Sequence, residues 1–133
     1  MGRYRRLELK LPADALILAV SCPIADVAQV LDVAVRAAAD RRLQLACIGR
    51  VGTGSFVMGL VAEDGNNQQM SSAVHAIRAA LPSRVTVSVR RCPDDMRSAL
   101  SPWQLRSDEL EIMRTLKNAL DPAWILNRGR YFV

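Results

Sequence analysis

Hydrophobic periodicity alternates along the chain between a two-residue and a three-to-four-residue repeat, and this restricts the possible folds more than any other feature. Four segments have strand character, because they are continuous apolar runs or alternate apolar with polar residues. They are residues 15–20, 43–51, 55–62 and 85–90. The second and third flank Gly52-Thr53-Gly54, which predicts a β-hairpin whose turn needs glycine at positive φ.

Two segments between these strands have helical periodicity. Pro23 suits a first helical position, and Pro82 ends the second helix. The apolar stripes comprise Ile24, Val27, Ala28, Leu31, Ala34, Val35 and Ala38 in the first helix, and Met70, Val74, Ile77 and Leu81 in the second. The order β-α-β-β-α-β predicts an α+β, ferredoxin-like fold with an antiparallel sheet, both helices on one face, and the other face left for an added layer. A further half-buried strand is predicted at residues 7–11.

A third helix lies outside this repeat. Asp108 with Glu111 has the spacing of an N-cap and capping box, and Asp121-Pro122 ends the helix because the residue before proline avoids the α region. Its predicted apolar stripe is Leu110, Met113, Leu116 and Leu120. An apolar and basic tail with a turn at residues 127–129 completes the chain.

This C-terminal stretch resembles the end of the C-terminal domain of FAD-linked oxidases, most closely the FAD-binding subunit of bacterial glycolate oxidase. The residues that carry the resemblance are Met113, Leu116, Lys117, Leu120, Asp121, Pro122, Ile125, Leu126, Asn127, Gly129 and Arg130, together with Cys92, Pro93, Met96, Arg97 and Trp103 upstream. Arg128 and Trp124 depart from the pattern, since the family usually has proline at the first position and glycine or asparagine at the second. The flavin-binding domain that should come first is not found in this chain.

The resemblance implies a cap domain, or a fragment of one, in a FAD-dependent 2-hydroxy-acid oxidase or dehydrogenase of the glycolate type. The FAD would be held by a missing domain or a partner chain, and this chain alone is expected neither to bind FAD nor to be active. The expected partner is that flavin-binding domain or subunit, with further oxidase subunits as other candidates. Asn127, Gly129 and Arg130 are the implied interface residues, and Trp103 is added as an aromatic anchor.

Arginines near the end of the last strand are candidates for binding a substrate carboxylate. Arg90 and Arg91 close the strand and Arg97 follows, and the planar guanidinium binds carboxylates bidentately. The alternative is that these arginines meet an acidic partner surface or only water, as exposed arginines commonly do.

No other motif predicts chemistry. Gly49, Gly52 and Gly54 have the wrong order for a phosphate loop and lead into a strand. Asp64-Gly65-Asn66 resembles a triplet that related oxidases flank with histidines, but it has no such flank here and predicts a surface turn. His75 is the chain's only histidine, so no catalytic residue and no metal site is predicted.

Composition fits a single domain over residues 1–133. No apolar run approaches a bilayer span and no secretory signal is present, so a cytoplasmic location is expected. Three separated cysteines favour neither disulfides nor zinc. The net charge of +5 comes without a long basic run, and Phe56 is the only aromatic residue in a predicted strand, which favours a solvated basic face over RNA binding. A freestanding ligand-sensing or subunit-interaction module is the alternative function.

Overall fold

A computed structural model describes residues 11–127 of the chain. The strands are β1 Leu16–Ser21, β2 Leu43–Arg50, β3 Ser55–Ala62 and β4 Thr86–Arg91, and the helices are α1 Val27–Ala39, α2 Asn67–Ala80 and α3 Ser107–Leu120. The chain divides into two compact units, a sheet unit that ends at Pro102 and a C-terminal unit that begins at Trp103. Most of the strand predicted at residues 7–11 lies outside the described residues.

The four strands form one antiparallel sheet in the order β2-β3-β1-β4. This order follows from two split βαβ units, because each helix joins parallel strands that are separated by one antiparallel neighbour. The hairpin β2-β3 keeps one register from Leu43 opposite Ala62 to Arg50 opposite Ser55. The predicted α+β fold, with its β-α-β-β-α-β order and a C-terminal helix, is confirmed.

The core lies between the sheet and the two helices α1 and α2, which pack on the same face. Alternate residues of β1 and β3 point to this face, as the period of a strand requires. The buried residues of these two strands and helices are Leu16, Leu18, Val20, Phe56, Met58, Leu60, Val27, Val30, Ala34, Met70, Val74 and Ile77. Phe56, Met58 and Leu60 share the face toward the helices.

The connections between elements depend on a few polar and glycine positions. Gly54 has φ of 59° at the end of the hairpin turn, whose other residues, Val51–Thr53, form one turn of 3-10 helix. Asn66 caps α2 by accepting from the Gln68 N–H at 3.1 Å. Pro23 precedes a 3-10 turn at Ile24–Asp26, so it lies just outside the first helix instead of at its first position.

The predicted start of α3 is wrong by two residues. The helix begins at Ser107, because the Glu109 carboxylate accepts from the backbone N–H of Arg106 at 2.9 Å. Asp108 cannot be the cap, since its carboxylate instead pairs with the Arg106 guanidinium at 2.5 Å. The predicted end is confirmed, with Asp121 as the C-cap.

The sheet face away from α1 and α2 is also partly covered. Ile17 and Val57 are buried there, and Gly59 lies beneath Leu11, since a Cβ on Gly59 would be 2.2 Å from the Leu11 Cδ1. Glycine at position 59 therefore allows this side chain to approach the sheet closely. Within residues 11–127 no helix is long and apolar enough to cross a membrane.

Candidate functional site

The C-terminal unit is organised around a buried carboxylate. Asp121 ends α3, and its Oδ1 and Oδ2 accept from the backbone N–H groups of Ile125 at 3.1 Å and Leu126 at 3.0 Å. The chain after Pro122 therefore folds back onto the end of the helix. Asp121 therefore holds Ile125 and Leu126 in place through two backbone hydrogen bonds.

Lys117 completes this anchor from one turn earlier in α3. Its Nζ donates to Asp121 Oδ2 at 2.5 Å and to the Leu126 carbonyl at 2.8 Å. The two side chains are only 10% and 6% exposed, so the ion pair is shielded from water. We call Lys117, Asp121 and the backbone of Ile125 and Leu126 the Asp121 cluster.

The electrostatics of the cluster favour the charged carboxylate. The ammonium group of Lys117 lowers the pKa of Asp121, and the two backbone N–H donors add to this effect against the cost of burial. The tail's geometry is therefore coupled to the ionisation of one side chain.

Trp124 lies against the same cluster. Its indole Nε1 donates to Asn118 Oδ1 at 2.9 Å, and the Lys117 Nζ is 5.8 Å from its ring centroid, within the range of a cation–π contact. Trp124 has φ of 52°, in the left-handed region that glycine and asparagine enter more easily.

An apolar surface lies beside the cluster. None of the residues of α3 is buried, and five large apolar side chains of this unit are at least half exposed. They are Ile112, Leu116 and Leu120, spaced four residues apart on the helix, and Ile125 and Leu126 after it. We call these five residues the apolar surface of the C-terminal unit. A shallow depression lined by Asp108, Glu111, Ile112, Thr115 and Leu116 gives it an acidic end.

The predicted apolar stripe of α3 is therefore wrong in part. Leu110 and Met113 are half-buried, but Leu116 is 51% and Leu120 81% exposed. The partly shielded position one turn after Met113 is taken by Lys117, because the tail folds over it. Sequence periodicity could not show this, since it assumes that the apolar residues of a helix face its own domain.

Two of the predicted interface residues are described by the structure. Trp103 is 46% exposed at the start of the C-terminal unit. Asn127 is exposed with φ of 50°, which agrees with the predicted turn at its first position. Gly129 and Arg130 lie outside the described residues, so their role stays a prediction.

The three candidate arginines for a substrate carboxylate have different surroundings. Arg91 donates to the carbonyls of Ala15 at 3.4 Å and Pro12 at 2.8 Å, so part of its guanidinium holds backbone. Arg97 pairs with Asp94 at 2.9 Å and remains 72% exposed. Arg90 is exposed at a register irregularity between β1 and β4. Carboxylate binding by these residues stays a prediction.

The Asp64-Gly65-Asn66 triplet is an exposed turn, as the sequence predicts. Gly65 has φ of 69°, and Asp64 Oδ1 accepts from the Asn66 N–H at 3.0 Å, so the triplet forms the turn that starts α2. His75 is an exposed residue of α2. Within residues 11–127, no group of three or more metal-ligating side chains comes together, and Cys22, Cys47 and Cys92 are free thiols.

Fold and site together define an α+β domain with a split βαβ sheet, followed by a helical C-terminal unit with an exposed apolar surface. Residues 96–131 match the family model of the FAD linked oxidases, C-terminal domain. The matched segment is about a quarter of the chain and contains the whole Asp121 cluster. Searches of curated proteins and of solved structures gave no match.

Three parts of this site were missed by the sequence predictions. Asp121 was interpreted only as a helix stop, although its spacing from Lys117 already allowed an ion pair four residues apart. Ile112 was left out of the predicted stripe, and its alignment with Leu116 and Leu120 was the available signal. That the tail folds back to Asp121 had no signal in the sequence.

Proposed function

We propose that this chain is the C-terminal cap domain, or a fragment of it, of a FAD-dependent 2-hydroxy-acid oxidase or dehydrogenase of the glycolate type. Its role is to cover a flavin-binding domain and to help shape the substrate site. The observation that carries this proposal is the family match at residues 96–131, which coincides with the segment that contains the apolar surface.

The apolar surface supports docking onto a large partner. Five exposed aliphatic side chains in a unit of this size are costly in water, and contiguous exposed apolar patches commonly mark interaction sites. The Asp121 cluster holds Ile125 and Leu126 in a fixed position beside α3. Docking therefore requires little further ordering of the tail, which reduces the entropic cost of association.

We propose that the FAD is held by a partner domain or chain and not by this chain. A pyrophosphate is usually held by a glycine-rich turn at a helix N-terminus, whereas Gly52 and Gly54 lead into β3, and α2 and α3 begin after Asn66 and Arg106. We therefore assign the flavin to a partner domain or chain and derive no chemical step from this chain. When bound there, the flavin supplies the redox chemistry, and the cap supplies shape and electrostatics.

The direct test is purification of the tagged chain from its own cells, with the visible spectrum of the complex recorded and its FAD content measured. We expect a flavoprotein to co-purify in a fixed ratio with bound FAD. Leu116→Asp should reduce this association at least tenfold, because it buries a charge in the apolar contact. Val35→Asp is the matched control, since Val35 is a similarly exposed apolar residue on α1. A complex that both variants keep equally well would contradict the assignment.

The finer parts of the proposal have their own tests. Trp103→Ala and Arg130→Ala should each weaken association with the flavoprotein while the chain remains folded. If the reconstituted complex oxidises 2-hydroxy acids, Arg90→Ala, Arg91→Ala and Arg97→Ala can be compared by KM. A selective rise in KM for one of them would identify the carboxylate-binding arginine, and unchanged KM values for all three would exclude this role.

A further inference from the structure

The two edge strands of the sheet, β4 and β2, differ in whether their outward-facing backbone groups have hydrogen-bond partners. At the β4 edge, the Val89 N–H donates to the Pro102 carbonyl at 2.8 Å, and the Arg78 guanidinium donates to the Val87 carbonyl at 2.8 and 3.1 Å. The Val89 N–H and the Val87 C=O, which face outward at this edge, are therefore satisfied within the sheet unit. Proteins commonly cover an edge in this way to prevent pairing with another strand.

The β2 edge has outward-facing backbone groups at every second residue. The Cys22 N–H donates to the Gly54 carbonyl at 2.9 Å. Together with the register of β1 and β3, this hydrogen bond determines which residues of β3 bond to β1 and which bond to β2. By alternation, Ala46 and Ile48 exchange their backbone hydrogen bonds with β3. The N–H and C=O groups of Leu45, Cys47 and Gly49 must then point away from the sheet.

Among residues 11–127, no hydrogen bond satisfies these outward groups in the way that Arg78 and Pro102 satisfy groups of β4. The segment 43–49 also contains no charge and no proline, and its register with β3 has no bulge. Cys47 and Gly49 are exposed. An uninterrupted edge of this kind, with none of the usual features that block pairing, is suited to receive another strand.

We propose that a second copy of this chain occupies the edge, with β2 pairing antiparallel to its own copy around a twofold axis at Cys47. Such an interface uses the same surface on both copies. Cys47 then faces Cys47 of the second copy, and the two sheets join into one of eight strands. This inference concerns the sheet unit and does not depend on the proposed flavin partner.

The side chains of β2 are complementary to themselves in this register. On the face toward the helices, Leu45 lies opposite Gly49 of the other copy. Gly49 has no side chain because the Phe56 ring fills that space, with Phe56 Cδ1 2.1 Å from the position of a Cβ. The Leu45 side chain therefore packs on the Phe56 ring of the other copy. On the other face, the half-buried Ala46 of each copy lies opposite the half-buried Ile48 of the other copy, so this pair occurs twice.

Charge selects this register over its neighbour. With the axis at Cys47, Arg50 lies opposite Gln44, whose Nε2 donates to the Glu63 carboxylate at 3.2 Å. The guanidinium thus approaches a carboxylate on the other copy, and the contact occurs twice. With the axis at Ala46, Arg50 would instead lie opposite Arg42, which places like charges together.

The test is the oligomeric state of the full chain, measured by sedimentation over a concentration series. We expect a reversible dimer that Cys47→Lys weakens at least tenfold, because it places two ammonium groups at the axis. Thr86→Lys is the matched control, since Thr86 is an exposed residue of the opposite edge strand. A chain that stays monomeric at all concentrations, or a dimer weakened equally by both variants, would overturn the proposal.

Two further measurements do not depend on the lysine variants. Hydrogen-bonded antiparallel pairs have Cα atoms about 5.5 Å apart, within disulfide range, so mild oxidation should cross-link the dimer through Cys47 and not in Cys47→Ser. The amide protons of Leu45, Cys47 and Gly49 should exchange more slowly as concentration rises. Exchange at these amides that is independent of concentration, or a cross-link that survives in Cys47→Ser, would exclude pairing at this edge.

Discussion

Gly54 and Gly65 both have left-handed backbone geometry, with φ of 59° and 69°, but their surroundings differ. A Cβ on Gly54 would lie 1.7 Å from the carbonyl oxygen of Cys22, whereas a Cβ on Gly65 would have nothing within 4 Å. Gly54 is therefore required both by its close contact with the Cys22 carbonyl and by its left-handed backbone, whereas Gly65 is required by its left-handed backbone alone.

We therefore expect Gly65→Ala to lower the free energy of unfolding by about 1 kcal/mol, the usual cost of left-handed geometry for alanine. Gly54→Ala should cost more than roughly 3 kcal/mol, because the added methyl also displaces the Cys22 carbonyl from its hydrogen bond. Urea unfolding of the two variants measures this difference. Equal losses would show that the hairpin turn can move away from Cys22.

Asp26 predicts how stability depends on pH in the sheet unit. Its buried carboxylate accepts from Arg84 Nε at 2.6 Å and Nη2 at 2.7 Å. These hydrogen bonds lower the pKa of Asp26 below its usual value, which is about 3.9 in an unfolded chain. The contribution of Asp26 is thus fully present above that value and is lost as the pH falls through the lower folded pKa.

The expected result is that Asp26→Asn lowers the melting temperature by several degrees at neutral pH and has a progressively smaller effect as the pH falls below the ordinary aspartate range, where the wild-type carboxylate protonates. Asp32→Asn is the control, because Asp32 forms only an exposed ion pair with Arg36 at 2.8 Å. Thermal unfolding at several pH values measures both. A loss in Asp26→Asn that does not change with pH would mean that packing, not charge, explains the site.

At the scale of an element, the end of α3 and the tail behave as one structure. Asp121→Asn keeps the shape of the side chain but removes the charge that Lys117 and two backbone N–H groups bind. We expect faster amide exchange at Ile125 and Leu126 and a change in Trp124 fluorescence, because the tail loses its anchor. The melting of the sheet unit should remain unchanged.

Acid should have the same effect as this substitution. Since the pKa of Asp121 is lowered, the tail should be held at neutral pH and released as the pH falls below the ordinary aspartate range. Asp108→Asn serves as the control on the same helix, because Asp108 contacts Arg106 at the opposite end of α3. Unchanged exchange in Asp121→Asn would show that apolar contacts alone hold the tail.

The sequence predicted those elements whose limits depend on local chemistry. The two hairpin strands and the end of α3 at Asp121 follow from alternation, glycine or proline. It failed where several local hydrogen bonds are possible and the sequence does not show which of them forms. The hydrogen bond from the Arg106 N–H to the Glu109 carboxylate places the start of α3 at Ser107. Asp121 holds the tail because the N–H groups of Ile125 and Leu126 donate to its carboxylate.

At the scale of the whole molecule, the apolar core and the apolar surface belong to different units. Every buried apolar side chain among residues 11–127 lies between Ala15 and Leu100, before the C-terminal unit begins at Trp103. The exposed groups assigned to the flavin partner, Ile112 to Leu126, all lie after it. Folding and docking should therefore separate when the chain is shortened.

A chain that ends at Pro102 should fold cooperatively, because it keeps the sheet, α1, α2 and the connector that covers β4 through Pro102. Circular dichroism and thermal unfolding of this fragment measure the prediction. It should also keep self-association through β2 and its loss in Cys47→Lys, but it should no longer bind the flavoprotein.

The three readouts of this fragment separate the proposals from one another. A folded, dimeric fragment without flavoprotein binding agrees with both. A folded monomer that differs from a dimeric full chain would move self-association to the C-terminal unit and exclude the β2 edge. A folded fragment that still binds the flavoprotein would exclude the apolar surface as the docking site. An unfolded fragment would show that the core between Ala15 and Leu100 needs the C-terminal unit, because burial before Pro102 alone does not then offset the chain entropy of folding.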